Sequence, residues 1–324
     1  MKYLFSLFCL CLILSSCEGT KDNQKYLSAS NGNLNNVSVV ADNLLWNDRV
    51  GEGIREVLTA PVLGLPQDEP QFNLRQIPTQ VFTGFARRSR LVLKVEKTDS
   101  SGVAIYRDVY AKPQTVVEVK GKTDQDIIDQ LNENSARIID AFKKEEVKEK
   151  LRRINKSLLK DEEMESALGF TIDIPSAYRI AINDDKFFWV RKNLSSNENM
   201  ALMFYEVPLE RISMGDSTIV DVVTLRDEIS ATKIPGEDGI VMTTQQDYAP
   251  SQFKTSIDNK ETIETRGMWR IEGAYMAGPF VNYAIKDEVN KRWLVAEGYV
   301  YAPRLDKRKY IFELEAIIRS INIK

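Results

Sequence analysis

The sequence predicts an α+β protein: an N-terminal α/β-type unit, a long helical connector, and a C-terminal, mostly antiparallel sheet covered by helices. Three observations predict it. A strand, a helix and then several strands follow one another between residues 37 and 122. Residues 123–168 contain neither Gly nor Pro. The second half opens on alternating Phe170, Ile172 and Ile174 and closes on several strand-like runs. At 324 residues with 43% apolar side chains, the chain is long and apolar enough for two domains or one large one.

In the first unit, residues 37–41 are mostly apolar and read as a buried strand. Asp42 or Asn43 can cap the helix that follows, whose Val50, Ile54, Val57 and Leu58 form one stripe. Ala60-Pro61 ends it and Gly64-Leu65-Pro66 turns the chain. Strands are predicted at 72–77, 89–96, 104–111 and 115–119.

Thr123 is a natural N-cap for the connector, with Asp124 and Asp126 in its first turn. Ile127, Leu131, Ile138 and Phe142 make one stripe; Val147, Leu151, Ile154 and Leu158 make another. The five-residue step from Phe142 to Val147 breaks the phase, which predicts a kink or two helices with 143–150 as a solvated junction.

In the second half, strands are predicted at 187–191, 201–207, 268–275, 280–285 and 293–301. A helix near 219–230 turns Val222, Leu225 and Ile229 inward, and the last helix lines up Tyr310, Leu314, Ile317, Ile318 and Ile321. Gly278-Pro279 predicts a tight turn between strands, and Ala302-Pro303 ends a strand.

The N-terminus sets the compartment. Lys2 precedes a twelve-residue run, 3–14, that is apolar apart from Ser6 and too short to span a bilayer as an ordinary helix. It ends in Leu14-Ser15-Ser16-Cys17, which resembles the lipobox of bacterial lipoproteins. That resemblance implies cleavage before Cys17 and attachment of palmitate-type acyl chains to it. Residues 1–16 are then a signal peptide, and 17–36 the lipidated cysteine and a flexible tether rich in Ser, Asn and Gly. The remaining expected divisions are 37–122, 123–168 and 169–324. The expected location is the cell envelope, anchored in the outer membrane, with the side open.

Composition narrows the chemistry. There is no histidine, and Cys9, Cys11 and Cys17 are the only cysteines. Ser-His-Asp and Cys-His nucleophilic sites, His-ligated metals and zinc ribbons are therefore excluded, and no metal or cofactor is expected. A net charge of -3 argues against a nucleic-acid face. Carboxylate hydrolysis remains, because a glycosidase needs only two acids. Asp42, Asp48, Glu52, Glu56, Asp68 and Glu69 cluster in the first unit, although Glu52 and Glu56 sit at i, i+4 on the polar side of a helix. Arg87-Arg88-Ser89-Arg90 is the densest basic run, suited to anionic lipid or to an ordinary solvated loop.

Strand 293–301 places Trp293, Val295, Glu297, Tyr299 and Tyr301 on one face. The small residues of the other face, Ala296 and Gly298, admit a close helix. The aromatic face, with Trp269 added, is either core or a groove for glycan or peptide. Arg266, Trp269 and Phe280 are candidates to line a pocket with it.

Several segments resemble one family. Asp42, Trp46-Asn47 and 58–66 are similar to the opening of the Bacteroidota lipoprotein family called domain of unknown function 4837. So are Arg266-Gly267-Met268-Trp269, Tyr275-Met276-Ala277-Gly278-Pro279-Phe280, 297–303 and Lys307-Arg308-Lys309-Tyr310, with Ala277 standing where a second glycine is expected. The resemblance runs over essentially the whole mature chain. It implies compartment and architecture, and it implies no catalytic or binding residue, since the family has no assigned activity. The expected function is a lipid-anchored, non-enzymatic binding or scaffold protein with an envelope protein or glycan as partner. The alternatives are a carboxylate hydrolase of envelope glycan and a carrier of a small apolar ligand.

Overall fold

Residues 28–35 already belong to the fold. The structure, a computed structural model, describes residues 26–234, 236 and 240–324. The expected signal peptide, Cys17 and the start of the expected tether lie outside them. Ala29 and Asn31 bridge to Lys112 and Ser89, and Ser30 N donates to Lys112 O at 3.1 Å. Arg88, Arg90 and Arg153 donate to the carbonyls of Ala29, Gly32 and Asn33. The tether expected to run to residue 36 is therefore a docked strap from Ser28 onward.

The strap leads into β1 (Asn36–Val40), buried on both sides as a central parallel strand must be. Then come α1 (Asn43–Trp46), α2 (Arg49–Leu58) and β2 (Asn73–Ile77). Val50, Ile54, Val57 and Leu58 are buried on α2 as their spacing predicts. Asp48 accepts from Arg49 N at 2.8 Å at its start. A Cβ on Gly51 would stand 1.8 Å from the Trp46 carbonyl oxygen, so α1 and α2 meet only at a glycine. Strands β3 (Leu91–Lys97), β4 (Gly102–Arg107) and β5 (Thr115–Gly121) complete a sheet of order β2-β1-β3-β5-β4, antiparallel only at β4.

Thr123 caps α3 (Asp124–Glu133) in a reciprocal box with Asp126, both bonds 3.1 Å. The break falls at Asn134, and α4 (Ser135–Ile154) runs unbroken through the expected junction at 143–150. The reason is that the gap in the apolar stripe is filled by buried acids. Glu146 takes Arg90 Nε at 2.6 Å, and Glu145 takes Arg107 Nη1 at 2.8 Å. Glu149 takes Arg152 and Arg153, and its bond to Arg152 leads the causes that hold its carboxyl down at about 2. Ile127, Leu131, Ile138 and Phe142 close the first core against the sheet, while Leu151 and Ile154 at the far end of α4 pack into the core of the second unit.

The second unit begins with α5 (Glu162–Leu168), ended by Gly169 in the left-handed region. There follow β6 (Phe170–Thr171), β7 (Arg179–Asp184), β8 (Phe187–Asn193), β9 (Asn199–Pro208), α6 (Thr218–Lys233), β10 (Met242–Thr244), β11 (Ser251–Ile257), β12 (Lys260–Ile271), β13 (Met276–Asp287) and β14 (Arg292–Tyr301). Last come α7 (Arg308–Ile318) and β15 (Asn322–Ile323), which pairs with β6. Eight strands make one antiparallel sheet, β10-β12-β13-β14-β9-β8-β7, with β11 also on the outer edge of β12. α7 covers one face and α6 the other.

Gly278-Pro279 lies inside β13 rather than in a turn. The β12–β13 turn is at 272–275, where Gly273 has φ +81. Gly278 is required for proximity instead, since its Cβ would lie 2.0 Å from the Val300 carbonyl oxygen. On β14 the expected close helix is present: a Cβ on Gly298 would stand 2.7 Å from Leu314 Cβ of α7.

The two units are joined by directional contacts. Buried Glu69 accepts from Lys307 N at 2.7 Å and Arg308 N at 2.9 Å, which makes it the N-terminal cap of α7 from across the junction. Lys150 Nζ of α4 reaches Glu313 of α7 at 2.7 Å, and Tyr248 Oη donates to Leu65 O at 3.1 Å.

Candidate functional site

Strand parity assembles most of the candidate residues beneath α6. Trp293, Glu297 and Tyr299 share a face of β14; Phe280 stands opposite Tyr299, and Asn282 opposite Glu297. Trp269 of β12 packs edge-on to Tyr299, with centroids 5.7 Å apart. Arg226 reaches down from α6 between Val222 and Ile229, so the pair Arg226–Glu297 is fully buried. Arg226 Nε donates to Glu297 Oε1 at 2.9 Å, and Asn282 Nδ2 donates to Oε2 at 2.9 Å. Arg226 Nη1 donates to Thr244 Oγ1 at 3.1 Å and Asp227 Oδ1 at 2.9 Å, and its guanidinium lies 4.2 Å from the Phe280 ring centroid. Burial pushes the Glu297 carboxyl up, against the pull of Arg226 and Asn282.

Among the described residues, no groove opens onto these rings. Trp269, Phe280, Trp293 and Tyr299 are at most 5% exposed. Trp293 Nε1 donates to Leu209 O at 3.1 Å, and Tyr299 Oη receives Trp189 Nε1 at 2.8 Å. The aromatic face is the inner wall of a filled layer. Arg226 Nη2, Ser230 Oγ, Asn282 Oδ1 and Trp269 Nε1 are buried there without a hydrogen-bond partner among the described residues.

Arg266 does not join Trp269 and Phe280. Three residues along an extended strand reverse the face, so Arg266 points toward α7. There its Nε donates to Glu264 at 2.6 Å and its Nη2 pairs with Glu315, while Arg319 Nη2 donates to Glu264 at 3.1 Å. A second buried acid on this side, Glu313, takes Lys150 at 2.7 Å, Lys192 at 2.6 Å and Tyr178 Oη at 3.0 Å. Burial acts to raise Glu313, but the two lysines outweigh it and hold the carboxyl down.

The other candidates are dispersed. Asp48 caps α2, Glu52 and Glu56 face solvent, and Glu69 caps α7. Arg90 of the basic run is buried on Glu146, whereas Arg87 and Arg88 stay at the surface. Two solvent-open clefts stand out. One of about 500 Å³ lies between the units, beside Asp68, Glu69, Arg304, Asp306 and Arg308. The other, about 580 Å³, lies at the β12–β13 tip beside Arg270 and Tyr275. Sequence reading missed Arg226 and Asn282. The signal was there: an arginine four residues from Val222 inside an apolar stripe needs a buried acid, and Glu297 on an aromatic face needs a cation.

Fold and site together define a two-unit α+β protein whose buried charges are mostly spent on one another. The chain belongs to the family described as Domain of unknown function (DUF4837), which matches residues 157–320. Residues 30–155 match a second family, Domain of unknown function (DUF8532). The segments at Asp42, Trp46-Asn47 and 58–66 thus fall within the second match, not the first. No curated protein matches the chain. Among solved structures, it is similar to cyanobacterial PsbP (CyanoP) from Synechocystis sp. PCC 6803, at 11% identity and TM-score 0.33, over 48% of this chain and 87% of that one. It is similar to a protein from Bacteroides thetaiotaomicron VPI-5482 at 13% identity and TM-score 0.25, over 48% and 45%. It is also similar to LpqN, involved in cell envelope biogenesis of Mycobacterium tuberculosis, at 10% identity and TM-score 0.27, over 47% and 83%. Among the described residues, no helix is long and apolar enough to cross a membrane.

Proposed function

We propose that this is a lipid-anchored protein of the cell envelope, held in the outer membrane through acylated Cys17, whose folded body binds or scaffolds a partner rather than catalysing a reaction. The observation that carries the reading is Leu14-Ser15-Ser16-Cys17 at the end of the short apolar run. The internal geometry supports the non-catalytic half. Glu297, the buried acid on the aromatic face, is bonded to Arg226 and Asn282 rather than facing a second carboxyl across a groove. The candidate ring systems face inward, which leaves the outer surface of the two units to meet an envelope protein or a glycan.

In-cell crosslinking followed by purification of the lipidated protein and mass spectrometry tests this. The expected result is one envelope component enriched over an unrelated lipoprotein. Equal recovery from both proteins would sink the scaffold reading.

A further inference from the structure

We infer that the face around the docked strap is a second membrane contact, one that lays Phe85, Arg88 and Lys112 against an anionic phospholipid surface. The inference rests on the proposed lipid anchor at Cys17 and adds to it an orientation. Ser28 is where the chain joins the fold, through Lys112 N donating to Ser28 O at 3.0 Å. Eleven peptide steps separate Cys17 from Ser28, so that point can lie at most about 40 Å from the acylated residue.

What surrounds the point is both apolar and basic. Phe85 is 72% exposed, a large ring turned to solvent on a short 3-10 turn, Gly84–Arg88. Arg88 stands 5.7 Å from that ring's centroid while its Nε and Nη2 hold Ala29 O at 3.1 and 3.0 Å, so the ring is fixed beside the strap. Lys112 is 72% exposed and, among the described residues, makes only a long ion pair with Asp108 at 3.9 Å, and Arg87 lies over the Tyr110 ring. The chain as a whole carries -3, so this local cationic surface runs against the overall charge. An aromatic ring at headgroup depth flanked by cations is the pattern that adds a reversible second signal to an acyl anchor.

The test uses the full-length, lipidated protein in phosphatidylethanolamine–phosphatidylglycerol vesicles. An environment-sensitive fluorophore is placed on Phe85→Cys and, separately, on Val289→Cys in the exposed β13–β14 turn. Thermal unfolding of both variants confirms the fold. The expected result is blue-shifted emission at position 85 and none at 289. The shift is expected to be lost when phosphatidylcholine replaces both lipids, and in the Arg88→Gln/Lys112→Gln protein. Equal spectra at the two positions, with Cys17 acylated by mass spectrometry, would overturn the inference alone. An unmodified Cys17 would remove the anchor and the inference with it. A shift at 85 that persists on phosphatidylcholine would overturn the anionic-lipid assignment.

Discussion

Changing Arg226 to Met removes the one cation that, among the described residues, is in hydrogen-bond contact with Glu297, and both side chains are fully buried. Glu297 keeps the 2.9 Å bond from Asn282, and Asp227 keeps the two 2.8 Å bonds from Thr244 of β10, while both Asp227 and Thr244 lose the bond from the guanidinium. Breaking one side of a buried ion pair costs about 3–5 kcal/mol, a large share of the 5–15 kcal/mol typical of a folded domain. Replacing both partners, as in Arg226→Met/Glu297→Leu, removes the stranded charge and should return most of that loss.

The single variant also carries a pH signature. Burial already raises Glu297, and without Arg226 nothing cationic opposes it. A carboxyl held higher in the folded than in the unfolded state favours folding at low pH and loses that contribution as pH rises through its folded value. The Arg226→Met deficit is therefore larger at pH 8 than at pH 5. Urea unfolding at both pH values measures it. A single variant within about 1 kcal/mol of the parent at pH 8, or a double variant no better than the single, would refute the reasoning.

Three further outcomes follow from close contacts and caps. Gly278→Ala and Gly298→Ala should each lose about 1–3 kcal/mol by overpacking against Val300 O and Leu314, whereas Gly53→Ala, whose Cβ meets only Ile128 at 3.5 Å, should gain up to about 1 kcal/mol; thermal unfolding ranks them. Glu69→Ala should cost about 2 kcal/mol through the lost cap on α7, while Glu52→Ala on the exposed face of α2 stays within about 0.5 kcal/mol, both read by urea unfolding. Asp161 is raised to about 6, first by burial and then by Glu165, so its charge weakens the fold progressively between about pH 4 and 6 and fully above it. Asp161→Asn should accordingly stabilise by about 1 kcal/mol at pH 7.5 and change little near pH 4, measured by thermal unfolding across pH.

The elements that could be read from the chain were those whose apolar spacing survives in the fold. The stripe Val50, Ile54, Val57, Leu58, the capping residue Thr123, and the two faces of 293–301 are of this kind. The unbroken α4 was hidden because Glu145 and Glu146 occupy core positions by pairing with Arg107 and Arg90, and polarity in a sequence says nothing of a partner far along the chain. β11 was missed for the opposite reason: on the outer edge of the sheet, Ser251–Ile257 has little to bury until Ile257 and so shows no alternation. Gly278-Pro279 carried a turn's composition at a place where glycine serves close strand approach. The candidate site was half legible. Aromatic residues and Glu297 share a face by parity, but the cation that closes it, Arg226, comes from a helix 71 residues away in sequence.

Mass spectrometry of the N-terminal peptide of the protein purified from membranes tests the central claim most directly. The account predicts a chain that begins at Cys17 and carries the added mass of acyl chains, and predicts that Cys17→Ser moves the protein out of the membrane fraction. An unmodified cysteine, or a Cys17→Ser protein that still fractionates with the membrane, would contradict it.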